Sequence, residues 1–84
     1  MGLKIFMGKD TVEEIKEYAV VKVVALNPLV AEAAVGDQGT VLAILGSQFE
    51  PEAFEVECVN SDGTNKWLGT FYPEQIELVQ NIER

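Results

Sequence analysis

The segment Val35-Gly36-Asp37-Gln38-Gly39-Thr40-Val41 places two glycines between two apolar runs that are rich in strand-forming residues. Glycine can take a positive φ or allow another backbone to approach closely, so this spacing predicts a tight entry into a β-strand. A phosphate-binding loop would need a lysine and then a serine or threonine directly after the last glycine, but Gly39 is followed by Thr40 with no lysine between them. The segment therefore predicts the start of a strand in a small β-domain.

Five strands can be predicted along the chain, at residues 19–26, 39–45, 54–58, 66–71 and 77–79. The first is rich in β-branched side chains and ends at Asn27-Pro28, and the second is apolar on both faces, which indicates a central or doubly covered position. The third alternates strictly, so Phe54, Val56 and Cys58 should point inward and the two intervening glutamates outward. Asp62-Gly63 then predicts a hairpin turn into the fourth strand.

The remaining segments complete the predicted architecture. A capping-box pattern at residues 10–14 predicts a short helix at about residues 11–17, and residues 29–35 are expected to form a long loop. Residues 73–76 should form one helical turn before the last strand. We expect a mainly all-β domain, a small five-stranded SH3-like barrel at residues 18–80, with an N-terminal arm at 1–17 and a tail at 81–84.

The length and composition are those of one small domain. At 84 residues and 48% hydrophobic residues, the chain can bury a single modest core. It has no apolar run of about 18 residues, which a membrane span would need, and no signal-peptide pattern at its start, so we expect a cytoplasmic protein. Cys58 is the only cysteine, which predicts a buried, reduced thiol and leaves no internal disulfide or multi-thiolate metal site.

The charge distribution narrows the possible functions. Acidic residues outnumber basic ones by 14 to 6, which disfavours nucleic acid and anionic membranes as partners. The imbalance is larger in residues 50–84, with eight acids against two bases, than in residues 1–49, with six against four. The chain contains no histidine, the commonest general base. We therefore expect a protein without catalytic activity, cofactor or bound metal.

A basic partner protein is the predicted ligand of the acidic second half. The candidate partner-binding residues are Glu50, Glu52, Glu55, Glu57, Asp62 and Glu74, together with the aromatic side chains of Trp67 and Tyr72. Aromatic residues are natural interface anchors because they bury a large area at low entropic cost. For Trp67 the pattern leaves two alternatives open, the core or the interface.

Several of these motifs resemble a bacterial family. The runs Tyr18 to Val24, Val35 to Val41 and Phe54 to Val59, followed by Asp62-Gly63 and Pro73-Glu74-Gln75-Ile76, look like a domain-of-unknown-function family of short SH3-like barrel proteins with a Gly-Asp-x-Gly-Thr-Val motif. The resemblance covers about residues 16–79. It implies an accessory partner of toxin-like or mobile-element proteins and assigns no activity to any residue.

Two functions remain as hypotheses. In the first, the protein is a non-catalytic binding module, similar to an immunity protein or antitoxin, whose acidic surface binds a basic protein. In the second, it is a structural accessory that associates with itself as a homodimer or larger homo-oligomer, with residues 3–7 of the N-terminal arm adding a strand or clasp to a second copy.

Overall fold

The computed structural model describes residues 14–47 and 49–82. Within them it contains five strands and one 3-10 turn: β1 (Val20–Val23), β2 (Gln38–Gly46), β3 (Pro51–Val59), β4 (Asn65–Phe71), the turn Pro73–Gln75 and β5 (Ile76–Gln80). All five predicted strands are present. β1 ends three residues earlier than expected, and β3 begins three residues earlier. Residues 29–35 form a series of turns, which agrees with the predicted loop.

The strands form one antiparallel sheet in the order β4-β3-β2-β1-β5. β2 lies in the centre of this sheet, as its apolar pattern predicted. One continuous row crosses all five strands, since Glu57 pairs with Leu68 and Thr40, Thr40 also pairs with Val20, and Val20 pairs with Gln80. β4 and β5 do not pair with each other, so the described sheet is open and closure into a barrel is not confirmed.

The predicted N-terminal helix is also not confirmed. Residues 11–13 lie outside the described part of the chain, and residues 14–17 have no helical conformation. Instead of intrahelical bonds, the backbone here uses the side chain of Asn81: the N–H of Lys16 donates to Asn81 Oδ1 at 3.0 Å, and Asn81 Nδ2 donates to the carbonyl of Glu14 at 2.9 Å. Tyr18 then turns the chain into β1 with a φ of 71°.

The core lies against the inner face of the sheet. Phe54, Val56 and Cys58 are buried as the alternation predicted, together with Trp67 and Phe71 of β4. The rings of Trp67 and Phe71 lie 5.1 Å apart at a tilt of 42°. The intervening residue of β4 on this face is glycine, and the side chain of Val30, from the loop after β1, occupies the space that a β-carbon at position 69 would need. The loop after β1 therefore covers one end of the core.

Candidate protein-binding surface

The outer face of β3 carries Glu55 and Glu57, which we call the acidic face. Both side chains are half-buried and lie on the same side of the strand, on the order of 7 Å apart by strand rise. Residues directly opposite each other on adjacent antiparallel strands share a face. The cross-strand neighbours of the two glutamates are uncharged: Thr40 and Leu68 beside Glu57, and Ala43 and Thr70 beside Glu55. The sheet itself therefore supplies no cation directly opposite either carboxylate.

Basic residues are scarce around this face. The sequence contains no lysine or arginine between Lys22 and Lys66. Lys22 lies 3.9 Å from the carboxylate of Glu77, and Lys66 lies 2.9 Å from that of Asp37. Glu55 accepts a hydrogen bond from the hydroxyl of Thr70, which is a neutral donor. The acidic face is therefore available to pair with positive charge from another molecule.

Asp37, from the glycine-flanked motif, has a structural role. Its Oδ2 accepts hydrogen bonds from the backbone N–H of Ala34 at 3.0 Å and from Trp67 Nε1 at 2.8 Å, while Oδ1 accepts one from Lys66 Nζ at 2.9 Å. These donors, with Ala34 and then Trp67 contributing most, lower the pKa of Asp37 to about 2. A carboxylate that is held by three donors resists protonation, because each bond favours the charged form.

Trp67 belongs to the core. It is 4% exposed, and its only polar atom is bonded to Asp37, so it does not present its ring to a partner. This decides between the two alternatives that the sequence left open for Trp67. Cys58 pairs with Trp67 across the sheet and is a free, buried thiol, and its burial raises its pKa.

The other candidate residues are exposed but widely separated along the fold. Glu50 and Glu52 lie at and just after the turn from β2 to β3, and an irregularity in the pairing of β3 with β2 separates Glu52 from Glu55 and Glu57. Asp62 lies in the turn after β3, where its Oδ1 accepts bonds from the backbone N–H and hydroxyl of Thr64. These acidic residues therefore lie at the two ends of β3, whereas Glu55 and Glu57 lie in its middle.

Tyr72 and Glu74 lie at the opposite end of β4 from Asp62. They belong to the connection that contains the 3-10 turn, and both are exposed. Tyr72 follows Thr70 by two residues, lies one residue beyond the end of β4, and has an extended backbone. Tyr72 is therefore exposed at the Thr70 end of β4, whereas Trp67 is buried on the inner face of the sheet.

Two side-chain amides that the sequence analysis did not single out organise this end of the sheet. Asn27 is 4% exposed; its Nδ2 donates to the carbonyl of Thr70 at 2.7 Å, and its Oδ1 accepts from the N–H of Leu29 at 3.0 Å. Gln75 Oε1 accepts from the N–H of Tyr72 at 2.8 Å, and its Nε2 donates to the carbonyl of Leu26 at 3.3 Å. For Asn27, the signal available in the sequence was Leu-Asn-Pro-Leu, an amide between leucines where the first strand was predicted to end.

Thr70 connects these amides to the acidic face. Its hydroxyl donates to Glu55, and its carbonyl accepts from Asn27. A short path of hydrogen bonds therefore runs from the outer face of β3, across β4, to the loop after β1. Thr70 therefore brings this loop close to the acidic face, although Val30 of the same loop packs on the inner face of the sheet.

In the described residues, no group of three or more cysteine, aspartate or glutamate side chains could hold a metal ion. No helix within residues 14–47 and 49–82 is long and apolar enough to cross a membrane.

Comparisons with protein-family models, curated proteins and solved structures found no match to this chain. The resemblance to the short bacterial family therefore stays a prediction that is based on the motifs alone.

Proposed function

We propose that the protein is a non-catalytic binding module, comparable to an immunity protein or antitoxin, whose acidic face binds a basic partner protein. The observation that carries this proposal is the absence of any cation opposite Glu55 and Glu57 in the register of the sheet. Half-buried carboxylates interact more strongly with an incoming charge than fully hydrated ones do, because the surrounding dielectric constant is lower. An arginine side chain from a partner can bind such a carboxylate through two parallel hydrogen bonds.

The proposal also includes the cellular location of the protein and the type of its fold. We take the protein to act in the cytoplasm, without cofactor or metal, as the sequence predicts. We also take the sheet to be a variant of the SH3-like barrel. The supporting feature is the return of the last strand to β1 after a single 3-10 turn.

A direct test is a titration of the isotope-labelled full chain with a short arginine-rich peptide, followed by amide chemical shifts in NMR spectra. We expect the largest shifts at Glu55, Glu57 and Leu68, and a loss of affinity as salt rises from about 0.05 M to about 0.5 M, because salt screens charges. Replacing Glu55 and Glu57 by glutamine should weaken binding about tenfold, which corresponds to about 1.4 kcal/mol.

The matched control replaces Glu14 and Glu17, which are exposed and lie before β1, by glutamine. It removes the same number of charges without changing the acidic face, so the affinity should change much less. Equal weakening by both double variants, or binding that salt does not affect, would contradict a specific acidic site.

Self-association is the second candidate, and one observation favours it. The side chain of Asn81 holds the backbone of residues 14–16 beside the end of β5. The outer edge of β5 has no partner strand among the described residues, and Val79 and Ile82 are exposed near it. Residues 3–7 therefore precede a segment that is anchored next to an open sheet edge, where an added strand could pair with a second copy.

Solution mass tests this candidate. If the arm joins two copies, light scattering should give a dimer for the full chain and a monomer after deletion of residues 1–9, because the added strand is lost. The deletion ends before the contacts of Asn81, so the anchor at Glu14 and Lys16 stays in place. If the full chain and the deletion variant contained the same number of copies in solution, this role of the arm would be excluded.

A further inference from the structure

Three large side chains are exposed around the Asn27 and Gln75 amides. Leu26 and Leu29 are 73% and 72% exposed, and Tyr72 is 46% exposed. We call these three residues the loop patch. Apolar surface that a folded domain leaves in water at one place often marks an interaction site.

The backbone beneath the loop patch is held in place. The carbonyl of Leu26 and the N–H of Tyr72 both bind the amide of Gln75, and the N–H of Leu29 binds that of Asn27. The buried amide of Asn27 also binds the carbonyl of Thr70, so the loop is fixed to β4. Side chains on such a preorganised backbone lose little further backbone entropy on binding, and this favours their use as anchors.

The charged residues near the loop patch indicate which kind of molecule can bind there. Glu74 follows Tyr72 by two residues, Glu32 follows Leu29 by three, and both are exposed. The chain has no lysine or arginine at positions 23–65 or 67–83. A second copy packed on this patch about a two-fold axis would bring these acids towards their equivalents, and like charges facing each other disfavour such a contact. A partner segment with apolar and basic residues has the complementary character.

We infer that the loop patch binds apolar side chains of a basic partner segment whose lysines or arginines contact the adjacent acidic face. Thr70 joins the two areas, since it is bonded to Glu55 on one side and to Asn27 on the other. An apolar centre bordered by charged groups is the usual anatomy of a protein interface. This inference rests on the proposed function and names the chemistry of its partner.

Three short peptides test it against the full chain by calorimetry and NMR. The first contains two leucines flanked by lysines, the second has serines in place of the leucines, and the third has glutamines in place of the lysines. The first should bind about tenfold more tightly than either of the others, because it alone satisfies both areas. Amide shifts with this peptide should include Leu26, Leu29 and Tyr72 as well as Glu55 and Glu57.

The double variant Leu26→Ser, Leu29→Ser should weaken binding of the first peptide about tenfold and leave that of the serine peptide unchanged. Val79→Ser is the matched control, because Val79 is 47% exposed near the end of β5 that is farther from Gln75 and the loop patch. It should leave the affinity unchanged. Dispersed amide spectra establish that each variant is folded.

Three other results would overturn the inference, and they distinguish a failure of the loop patch from a failure of the proposed function. Equal, salt-sensitive affinity for the first and second peptides, with no effect of the leucine variant, would retain the acidic site and reject the loop patch. Absence of binding by all three peptides at low salt would reject both the inference and the proposed function. A full-length dimer that becomes a monomer through the leucine variant alone would make the patch a contact between copies.

Discussion

Replacing Gly39 by alanine should lower the free energy of unfolding by about 3 kcal/mol, because the added methyl group has no space. A β-carbon at this position would lie 2.7 Å from the backbone carbonyl oxygen of Glu57 and 2.8 Å from Val56 Cγ1. The closest of these atoms belongs to the backbone of β3 in the middle of the sheet. To make room, β2 and β3 must separate at the pairing of Thr40 with Glu57.

Gly36→Ala is the matched control, since it adds the same methyl group three residues earlier. A β-carbon there would have no atom within 4 Å, but the φ of +100° is unfavourable for alanine. The cost should be about 1 kcal/mol, from backbone strain alone. Urea unfolding followed by the fluorescence of Trp67, the only tryptophan, measures both variants. If Gly39→Ala were no more destabilising than Gly36→Ala, the close approach of the two strands would be refuted.

The second large effect concerns Asp37 and depends on pH. Its pKa falls from 3.8 to about 2 in the folded protein, first through the N–H of Ala34, then through Trp67 and Lys66. A lowered folded-state pKa stabilises the fold above the unfolded-state value, and this contribution disappears as the pH falls from about 4 to about 2. The side chain is only 15% exposed, and the shift corresponds to about 2 kcal/mol at neutral pH.

Asp37→Asn should therefore be less stable than the original protein by about 2 kcal/mol at pH 7 and nearly equal to it at about pH 2. Asparagine keeps an oxygen that can accept bonds from Ala34 and Trp67, but it lacks the charge that Lys66 pairs with. The free energy of unfolding of both proteins is measured with urea at each pH. The other carboxyl groups contribute equally to both proteins, so their contribution cancels in the difference. A difference that stays constant between pH 7 and pH 2 would be inconsistent with a charge-dependent role.

Asp62→Asn is the control for this experiment. Hydrogen bonds from Thr64 also lower the pKa of Asp62, but its turn is exposed to solvent, where water replaces lost bonds. We expect its replacement to leave stability close to that of the original protein at both pH values. A loss as large as that of Asp37→Asn would show that the effect is not specific to the contact with Trp67.

Short-range patterns account for the parts of the fold that were predicted correctly. The alternation at Phe54 to Cys58, the turn at Asp62-Gly63 and the glycines of the second strand each depend on neighbouring residues, and all three appear as expected. The predicted N-terminal helix is different. Its capping pattern was local, but Asn81, far along the chain, binds the backbone of Glu14 and Lys16 in place of intrahelical bonds.

The candidate surface was predictable only in part, because it too depends on contacts between residues that are far apart in the sequence. Alternation placed Glu55 and Glu57 on one outward face, and composition indicated a basic partner. Composition could not separate these two residues from Glu50, Glu52 and Asp62, because the separation depends on whether each residue lies in the middle of β3 or near one of its ends. The exposure of Leu26 and Leu29 was not predictable, since Leu26 was expected in the first strand and an apolar residue in a loop, such as Leu29, is equally compatible with burial.

The sequence by itself determined that this chain forms five strands, that Phe54, Val56 and Cys58 of the third strand face inward, and that its surface is strongly acidic. These properties follow from alternation, turn residues and charge, all of which act over a few neighbouring positions. The tertiary structure decided that Trp67 enters the core through its bond to Asp37, that Asn27 fixes a loop to β4, and that Thr70 joins two surfaces. The first two contacts join residues 30 and 43 positions apart, so they exist only after the strands have assembled.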